Sequence, residues 1–360
     1  MGKGISIFTG MKYTLEENIS FIKKSKKLGF DNIFTSLHIP EANYEKAVEE
    51  FKEIAIVADN INMKIIADIS PRAFTFLGAD MNNLKKVKDM GIYGVRVDFG
   101  FSPKEISSFS HNKLNLKIEI NASTVTERFF NELENFSPNY KMLQACHNYY
   151  PRLNTGISTE TFNRKNEMLK KRNMKISAFI PSLVNKRAPI FEGLPTLEKH
   201  RFLDPYVAAK ELFALDMENV IFGDSIPSDD EIKRIGAINE NMVEIRIRVN
   251  VCSLLEKKII FEHIHTNRLD SAEDVIRSTN SRVDLHHGNV IYPHNNARRP
   301  IGSITIDNKD YLRYSGELQI CKKLLPPDMR VNVVGSVYKN DLILLDYIDD
   351  ETKFKLILEE

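Results

Sequence analysis

The sequence has no tryptophan and only three cysteines in 360 residues. Cys146, Cys252 and Cys321 are an odd number at scattered positions without a CxxC pair, which removes a disulfide framework and the zinc motifs built on such pairs. Free thiols in a reducing cytoplasm are the expectation. Net charge is equally scarce: 50 Lys and Arg against 49 Asp and Glu leave +1, so no electrostatic case exists for nucleic acid or an anionic membrane as partner. No apolar run approaches the ~18 residues of a membrane span. The opening Met-Gly-Lys-Gly-Ile-Ser-Ile-Phe runs almost directly into a strand pattern, so no signal peptide is expected. Gly2 with Ser6 fits the outline of a myristoylation motif, but Ile5 to Phe8 read as core. No Gly-rich phosphate loop follows the first strand, and no HxH or HExxH spacing supports a metal at the barrel strand ends, so no cofactor and no metal are expected.

What is present is a repeating theme. Strands are expected over 4–9, 32–37, 64–69, 94–99, 116–121, 142–147, 175–180 and 219–223, most of them linked by amphipathic helices. Helices are expected over 14–28, 44–60, 81–90, 159–172, 205–215 and 228–235, with one more after Ser123. Eight strand–helix units in about 235 residues is the size of a (β/α)8 TIM barrel. An open doubly wound sheet is the alternative, weakened by the missing phosphate loop.

After Ile238 the texture changes to alternating runs, 242–251, 302–306, 316–320, 331–337 and 341–346, with Asn340-Asp341 as a hairpin signal. The fold class is therefore α/β: a barrel over 1–238, followed by a smaller β-rich domain over 239–360.

The barrel site lies at the C-terminal strand ends. Two runs there alternate strictly: Val95, Val97 and Phe99 against Arg96 and Asp98, then Leu116, Ile118 and Ile120 against Lys117, Glu119 and Asn121. If the strands are neighbours, Asp98 and Glu119 sit side by side. Asp68, His38, His147, Asn148 and Asp224 close other strand ends, so the mouth is polar. Paired carboxylates at ~4.8 Å strand spacing suit a glycosidase, one acid giving a proton to the leaving oxygen and the other supporting positive charge on the sugar. Each residue has a plainer use. Asp98 could be ion-paired to Arg96 or Lys117 and Glu119 to Lys117, Asp68 could cap a turn, His147 could be a satisfied imidazole, and Asp224 could order the loop before Ser228. Asp98, Glu119 and His147 could instead hold a metal, as in a metal-dependent barrel hydrolase. A Schiff-base lysine is poorly served, since Lys117 is mid-strand and Lys175 begins its strand at the wrong end. Asn185-Lys186-Arg187 and Ala297-Arg298-Arg299-Pro300 are candidate anion sites or solvated surface.

Several runs resemble the bacterial 6-phospho-N-acetylmuramidase family. They are Arg-Val-Asp-Phe-Gly around Asp98, Leu-Lys-Ile-Glu-Ile-Asn-Ala-Ser at 116–123 and Cys-His-Asn-Tyr-Tyr-Pro at 146–151. Gly-Leu-Pro-Thr-Leu-Glu-Lys-His-Arg at 193–201 and Tyr-Ser-Gly-Glu-Leu-Gln-Ile at 314–320 extend the resemblance nearly end to end. It implies a barrel with a C-terminal cyclophilin-like domain. It also implies a cytoplasmic exo-acting hydrolase that splits N-acetylmuramic acid 6-phosphate from N-acetylglucosamine in cell-wall recycling, on a disaccharide delivered by phosphotransferase uptake. A phosphosugar would give Arg187 or Arg298 a phosphate or lactyl carboxylate to receive. On these grounds Asp98 and Glu119 are expected as the acid pair, with Glu119 as proton donor, unless the substrate's own acetamido oxygen attacks. Asp68, Asn121, His147 and Asn148 are expected to position the sugar. A non-catalytic phosphosugar-binding regulator is the alternative from another class. The sequence leaves a homodimer open.

Overall fold

The computed structural model describes residues 1–36, 44–69, 84–283 and 289–358. Eight parallel strands form a closed barrel: β1 (Gly2–Ser6), β2 (Asn32–Ser36), β3 (Lys64–Asp68), β4 (Gly94–Arg96), β5 (Lys117–Asn121), β6 (Leu143–Cys146), β7 (Ile176–Ile180) and β8 (Asn219–Phe222). Pairing of Gly2 with Asn219 and Gly4 with Ile221 joins β8 back to β1 and closes the ring. Closure removes every edge, so each strand can be buried on both faces. Val95 and Ile118 are register partners, fully buried, on the face opposite Arg96 and Glu119.

The helices around this unit are α1 (Leu15–Lys27), α2 (Tyr44–Asn60), α3 (Lys85–Asp89), α4 (Pro103–Ser110), α5 (Glu127–Glu134), α6 (Thr159–Lys170), α7 (Pro205–Ala214) and α8 (Asp229–Gly236). Their starts are written locally. Thr14 with Glu17, Ser102 with Glu105 and Ser228 with Glu231 each form a reciprocal capping box. In α1 the buried positions Asn18, Phe21, Ile22 and Ser25 recur at helical spacing. Helix α4 has no counterpart among the sequence expectations, although Ser102-Pro103-Lys104-Glu105 carries both an N1 proline and a capping box. It was hidden because the apolar period over its eight residues is too short to register. Only part of the expected 81–90 helix lies within the described residues. No described helix is long and apolar enough to cross a membrane.

Residues Met1–Ala237 form one compact unit and Ile238–Glu360 a second. The second holds a seven-stranded mixed sheet. Its strands are β9 (Val243–Val249), β10 (His265–Thr266), β11 (Val275–Arg277), β12 (Ser303–Asp307), β13 (Leu318–Cys321), β14 (Val331–Val337) and β15 (Lys353–Leu358), in the order β10-β15-β9-β14-β12-β13-β11. Only β15 and β9 run parallel. The two edge strands approach each other through one bridge, Asn267 to Ser278. Helix α9 (Leu254–Phe261) carries the buried Glu256, which accepts from Asn332 Nδ2 and His294 Nε2, both at 2.9 Å.

The expected strand over 341–346, and its hairpin turn at Asn340-Asp341, are replaced by 3-10 turns over Lys339–Tyr347. The cause is a buried ion pair. Asp341 accepts from the Arg246 backbone N–H at 2.9 Å and from its guanidinium at 3.1 and 2.5 Å, which fixes the chain where a strand would have to run on.

Asp307 at the end of β12 is buried and lies near Glu317 and Asp328. Burial above all, then those two carboxylates, pushes its pKa up to about 7, against weaker opposition from Arg299 and Arg277. A folded-state pKa above the unfolded one favours the fold at low pH. That contribution is complete below about pH 4 and is lost as pH rises through about 7. Asp307→Asn should therefore raise stability by on the order of 3 kcal/mol at pH 8 and leave it unchanged at pH 4, read from unfolding midpoints across that range. Equal midpoints for both proteins at pH 8 would contradict this.

Candidate active site

Strand register decides what meets at the barrel mouth. Arg96 pairs with Asp68 on one side and with Glu119 on the other, and Glu119 pairs with Gln144. In a parallel sheet register partners share a face. The lateral neighbour of Glu119 is therefore Arg96. Asp98 stands two residues further along, so the side-by-side acid pair expected from alternation is not formed.

Arg96 is 2% exposed, and its guanidinium reaches across β5 to the end of β6. One terminal nitrogen donates to Cys146 O at 2.9 Å, and the other to Asn148 Oδ1 at 2.6 Å. Asp98 Oδ2 lies 3.9 Å away and Glu119 Oε1 3.7 Å away, beyond hydrogen-bond reach but close enough for strong attraction where water is excluded. Burial opposes the Arg96 charge, but the carboxylates of Asp98, Asp68 and Glu119 favour it, and its pKa is raised. Lys117, the other cation weighed from the sequence, donates instead to Lys141 O at 2.6 Å.

Around Arg96 is a cavity of about 220 Å3, lined by Phe34, Asp68, Arg96, Asp98, Asn148, Tyr149 and Phe179. Its lining is mixed. Asp68, Asp98 and Asn148 supply oxygen and amide groups. Apart from Arg96, the rest of the lining is aromatic: Phe34 and Phe179 pack edge to face at 5.0 Å, and Tyr149 meets Phe179 at 5.2 Å and Phe34 at 6.1 Å. A sugar ring has hydroxyls around its rim and apolar C–H faces, and this is the lining it needs.

Asp98 is held by Asn121 Nδ2 at 2.6 Å, and Asn121 Oδ1 in turn accepts the Ser123 N–H at 2.9 Å. Asn121 therefore orients Asp98 and is not itself part of the lining. Asp68 Oδ2 accepts from Ser36 Oγ at 3.1 Å. Glu119 is 2% exposed and not in the lining. Its Oε2 accepts from Gln144 at 2.7 Å, and its Oε1 is buried without a hydrogen bond. Burial raises its pKa above the usual carboxylate range, opposed by Arg96 and Gln144. It lies beneath the cavity, beside the Arg96 guanidinium.

His147 is not brought to the mouth. Its ring is fully buried and stacked on Phe162 at 4.4 Å, with Nε2 on Asn166 Oδ1 at 2.8 Å and Nδ1 on Ser123 Oγ at 3.1 Å. Burial takes its pKa down to about 4. Both ring nitrogens are engaged, so the metal trio of Asp98, Glu119 and His147 fails at this residue. Among the described residues no group of three or more His, Cys, Asp or Glu is placed to hold a metal ion. Phe99, expected on the core face with Val95 and Val97, is 80% exposed because the ladder of β4 ends at Arg96. His38, also read as a strand end, lies outside the described residues.

Arg187 extends the aromatic side. Its guanidinium carbon lies 4.4 Å from the Phe8 ring centre and 5.0 Å from that of Tyr149, and it donates to the Tyr149 hydroxyl at 3.1 Å. Its Nε is buried without a partner. Arg298 lies in the second unit with its side chain exposed.

Asp224 orders a different loop from the one expected. It accepts the N–H groups of Ser182 (2.9 Å), Leu194 (3.1 Å) and Arg187 (2.8 Å), all following β7. Burial raises its pKa, while these three N–H groups oppose the rise. Gly223 makes the approach possible, since a Cβ there would stand 2.3 Å from Leu194 O. Glu231 adds bonds to Ser182 Oγ and Leu183 N. The 193–201 run is structural as well. Buried Arg201 holds Glu198 by two bonds of 2.7 Å and donates to Gly193 O and Arg152 O, and Glu198 accepts from Asn154 N and Gly156 N. Sequence inspection overlooked Arg96, Tyr149, Phe34 and Phe179 as lining. Alternation placed Arg96 on the face of Asp98, but nothing local said that this face was the cavity.

Asp224→Ala should free the loop that carries Arg187. Tryptic cleavage after Lys186 or Arg187 is expected to quicken about tenfold, equivalent to ~1.4 kcal/mol of local opening. Unchanged cleavage would mean that the three bonds do not restrain the loop.

Two family models match the chain: "6-phospho-N-acetylmuramidase, N-terminal" over residues 3–237 and "6-phospho-N-acetylmuramidase, C-terminal" over residues 243–357. No curated protein matches. Among solved structures, an uncharacterized Bacillus cereus protein is 31% identical over 99% of each chain, with a TM-score of 0.88. A conserved Enterococcus faecalis protein of unknown function is 36% identical over 100% of this chain and 97% of that one, with a TM-score of 0.75. The chain, a TIM-like barrel with a second mixed-sheet unit, belongs to the 6-phospho-N-acetylmuramidase family, a family of glycosidases.

Proposed function

We propose that this glycoside hydrolase splits N-acetylmuramic acid 6-phosphate from N-acetylglucosamine, in the cytoplasm, as a step of cell-wall recycling. The observation that carries the reading is the mixed lining of the cavity, with two carboxylates around a buried cation and a cluster of edge-to-face aromatic rings. Cleavage needs one acid to protonate the leaving oxygen and a second carboxylate to support positive charge at the sugar carbon. Asp68 and Asp98 face the cavity and are proposed for these roles, in place of the Asp98–Glu119 pair, because Glu119 sits beneath it. Asn148 would meet a hydroxyl or the acetamido group. Arg187 offers an unpartnered Nε and a guanidinium at the aromatic wall, a receiver for phosphate or the lactyl carboxylate.

The test is release of N-acetylglucosamine from the phosphorylated disaccharide. Wild-type protein should turn it over, and binding without turnover would favour a phosphosugar-binding regulator. Asp98→Asn and Asp68→Asn should each lower kcat by about two to four orders of magnitude. Glu119→Gln should cost less than either. The opposite order, with Asp68→Asn near normal and Glu119→Gln inactive, would return the donor role to Glu119. Arg187→Ala should raise KM more for the phosphorylated disaccharide than for its unphosphorylated form, and an equal effect on both would remove Arg187 from phosphate binding.

A further inference from the structure

The second unit has a cavity of its own, of about 620 Å3, built from none of the residues of the barrel site. Its size falls within the ~300–1,000 Å3 of small-molecule sites. The chain following β11 brings Thr279, Arg282 and Val283 to it, and the 3-10 turns over Lys309–Tyr314 bring Leu312 and Arg313. Ser315, from the 314–320 run that the sequence singled out, completes this side. Among the described residues no carboxylate belongs to the lining.

The two arginines are arranged, not merely nearby. Arg282 donates to the backbone oxygen of Arg313 at 2.8 Å. Arg313 donates to the Tyr314 hydroxyl at 3.0 Å and lies 5.0 Å from that ring's centre. Among the described residues neither guanidinium meets a carboxylate. Four other arginines of this unit do, among them Arg246 with Asp341, Arg277 with Glu317 and Arg330 with Asp328. Two cations on one concave surface repel each other, and an anion between them removes the repulsion.

Leu312 adds a separate observation. Its backbone is at φ 54°, ψ −118°, a region costly for any residue with a Cβ, and its side chain is 80% exposed. A side chain so exposed offers little packing to offset that strain. The conformation does place an apolar group at the rim, beside the arginines and close to Val283, which is 51% exposed.

We infer that this cavity is a second ligand site, for a sugar bearing an acid group. Arg282 and Arg313 take the acid group, and Leu312 and Val283 meet a carbon face of the ring. The site lies wholly in the second unit and does not rest on the reading of the barrel.

The experiment uses the full chain and calorimetric titration with four probes: inorganic phosphate, N-acetylglucosamine 6-phosphate, N-acetylmuramic acid and neutral N-acetylglucosamine. Wild-type protein should show a binding component for at least one acidic sugar that weakens about tenfold or more in Arg282→Gln and in Arg313→Gln. Turnover of the disaccharide should stay within about twofold in both variants. The phosphorylated probe against N-acetylmuramic acid tells phosphate from carboxylate as the acid group. Leu312→Gly keeps both arginines and relieves the backbone, so it should weaken the acidic sugar while leaving inorganic phosphate unchanged. Acidic sugars that bind wild type and both arginine variants alike would overturn the inference, as would equal binding of the neutral sugar to this site.

Discussion

An arginine enclosed by protein must find acceptors for its donors and charge to balance its own, because desolvation of an unpaired cation costs more than a fold's net stability. Arg96 meets both demands at the top of the barrel. Its donors end on Cys146 O and Asn148 Oδ1, and its charge is balanced by Asp68, Asp98 and Glu119. Three consequences follow from one side chain. The end of β6 is fixed, so Asn148 points into the cavity. Asp98 and Glu119 are drawn toward one centre from different layers. The most buried of the acids, Glu119, is left with one oxygen unbonded beneath the cavity floor.

The loops that frame this centre are fixed by the same physics with the signs reversed. Asp224, Glu231 and Glu198 are anions whose partners are mostly backbone N–H groups of loops following β6 and β7. Each converts exposed loop backbone into a defined shape, and the loop after β7 is how Arg187 comes to lie over Phe8 and Tyr149. In the second unit Asp341 does the equivalent for Arg246, and Glu256 for Asn332 and His294. Buried carboxylates in this protein are thus mostly organisers of chain. Asp68 and Asp98 stand apart because they border open space.

Much of the architecture was legible along the chain. The eight units were visible because each strand is a short alternating or apolar run, and most are linked by a capped amphipathic helix, all local signals. The change of texture near residue 238 was visible for the same reason, and the division falls between Ala237 and Ile238. Failures came where a non-local contact overrode local pattern. The run 341–346 reads as strand but is held in turns by Arg246, and Phe99 reads as core but follows the last rung of β4. His147 reads as a mouth residue from its place after β6, yet Ser123 and Asn166 hold it in the outer layer.

The sequence by itself determined that Asp68, Arg96, Asp98 and Glu119 come at the catalytic ends of three strands, and that Arg96 shares a face with Asp98 and Asn121 with Glu119. Tertiary structure alone decided which of them are neighbours. Alternation has a period of two and is unchanged when one strand slides by two residues past the next, so it cannot report the stagger of a closed barrel. That stagger placed Arg96 beside Glu119 and lifted Asp98 one layer higher, against Asn121. A sequence that suggested a pair of acids therefore folds into a buried cation with acids around it, two of which face the cavity.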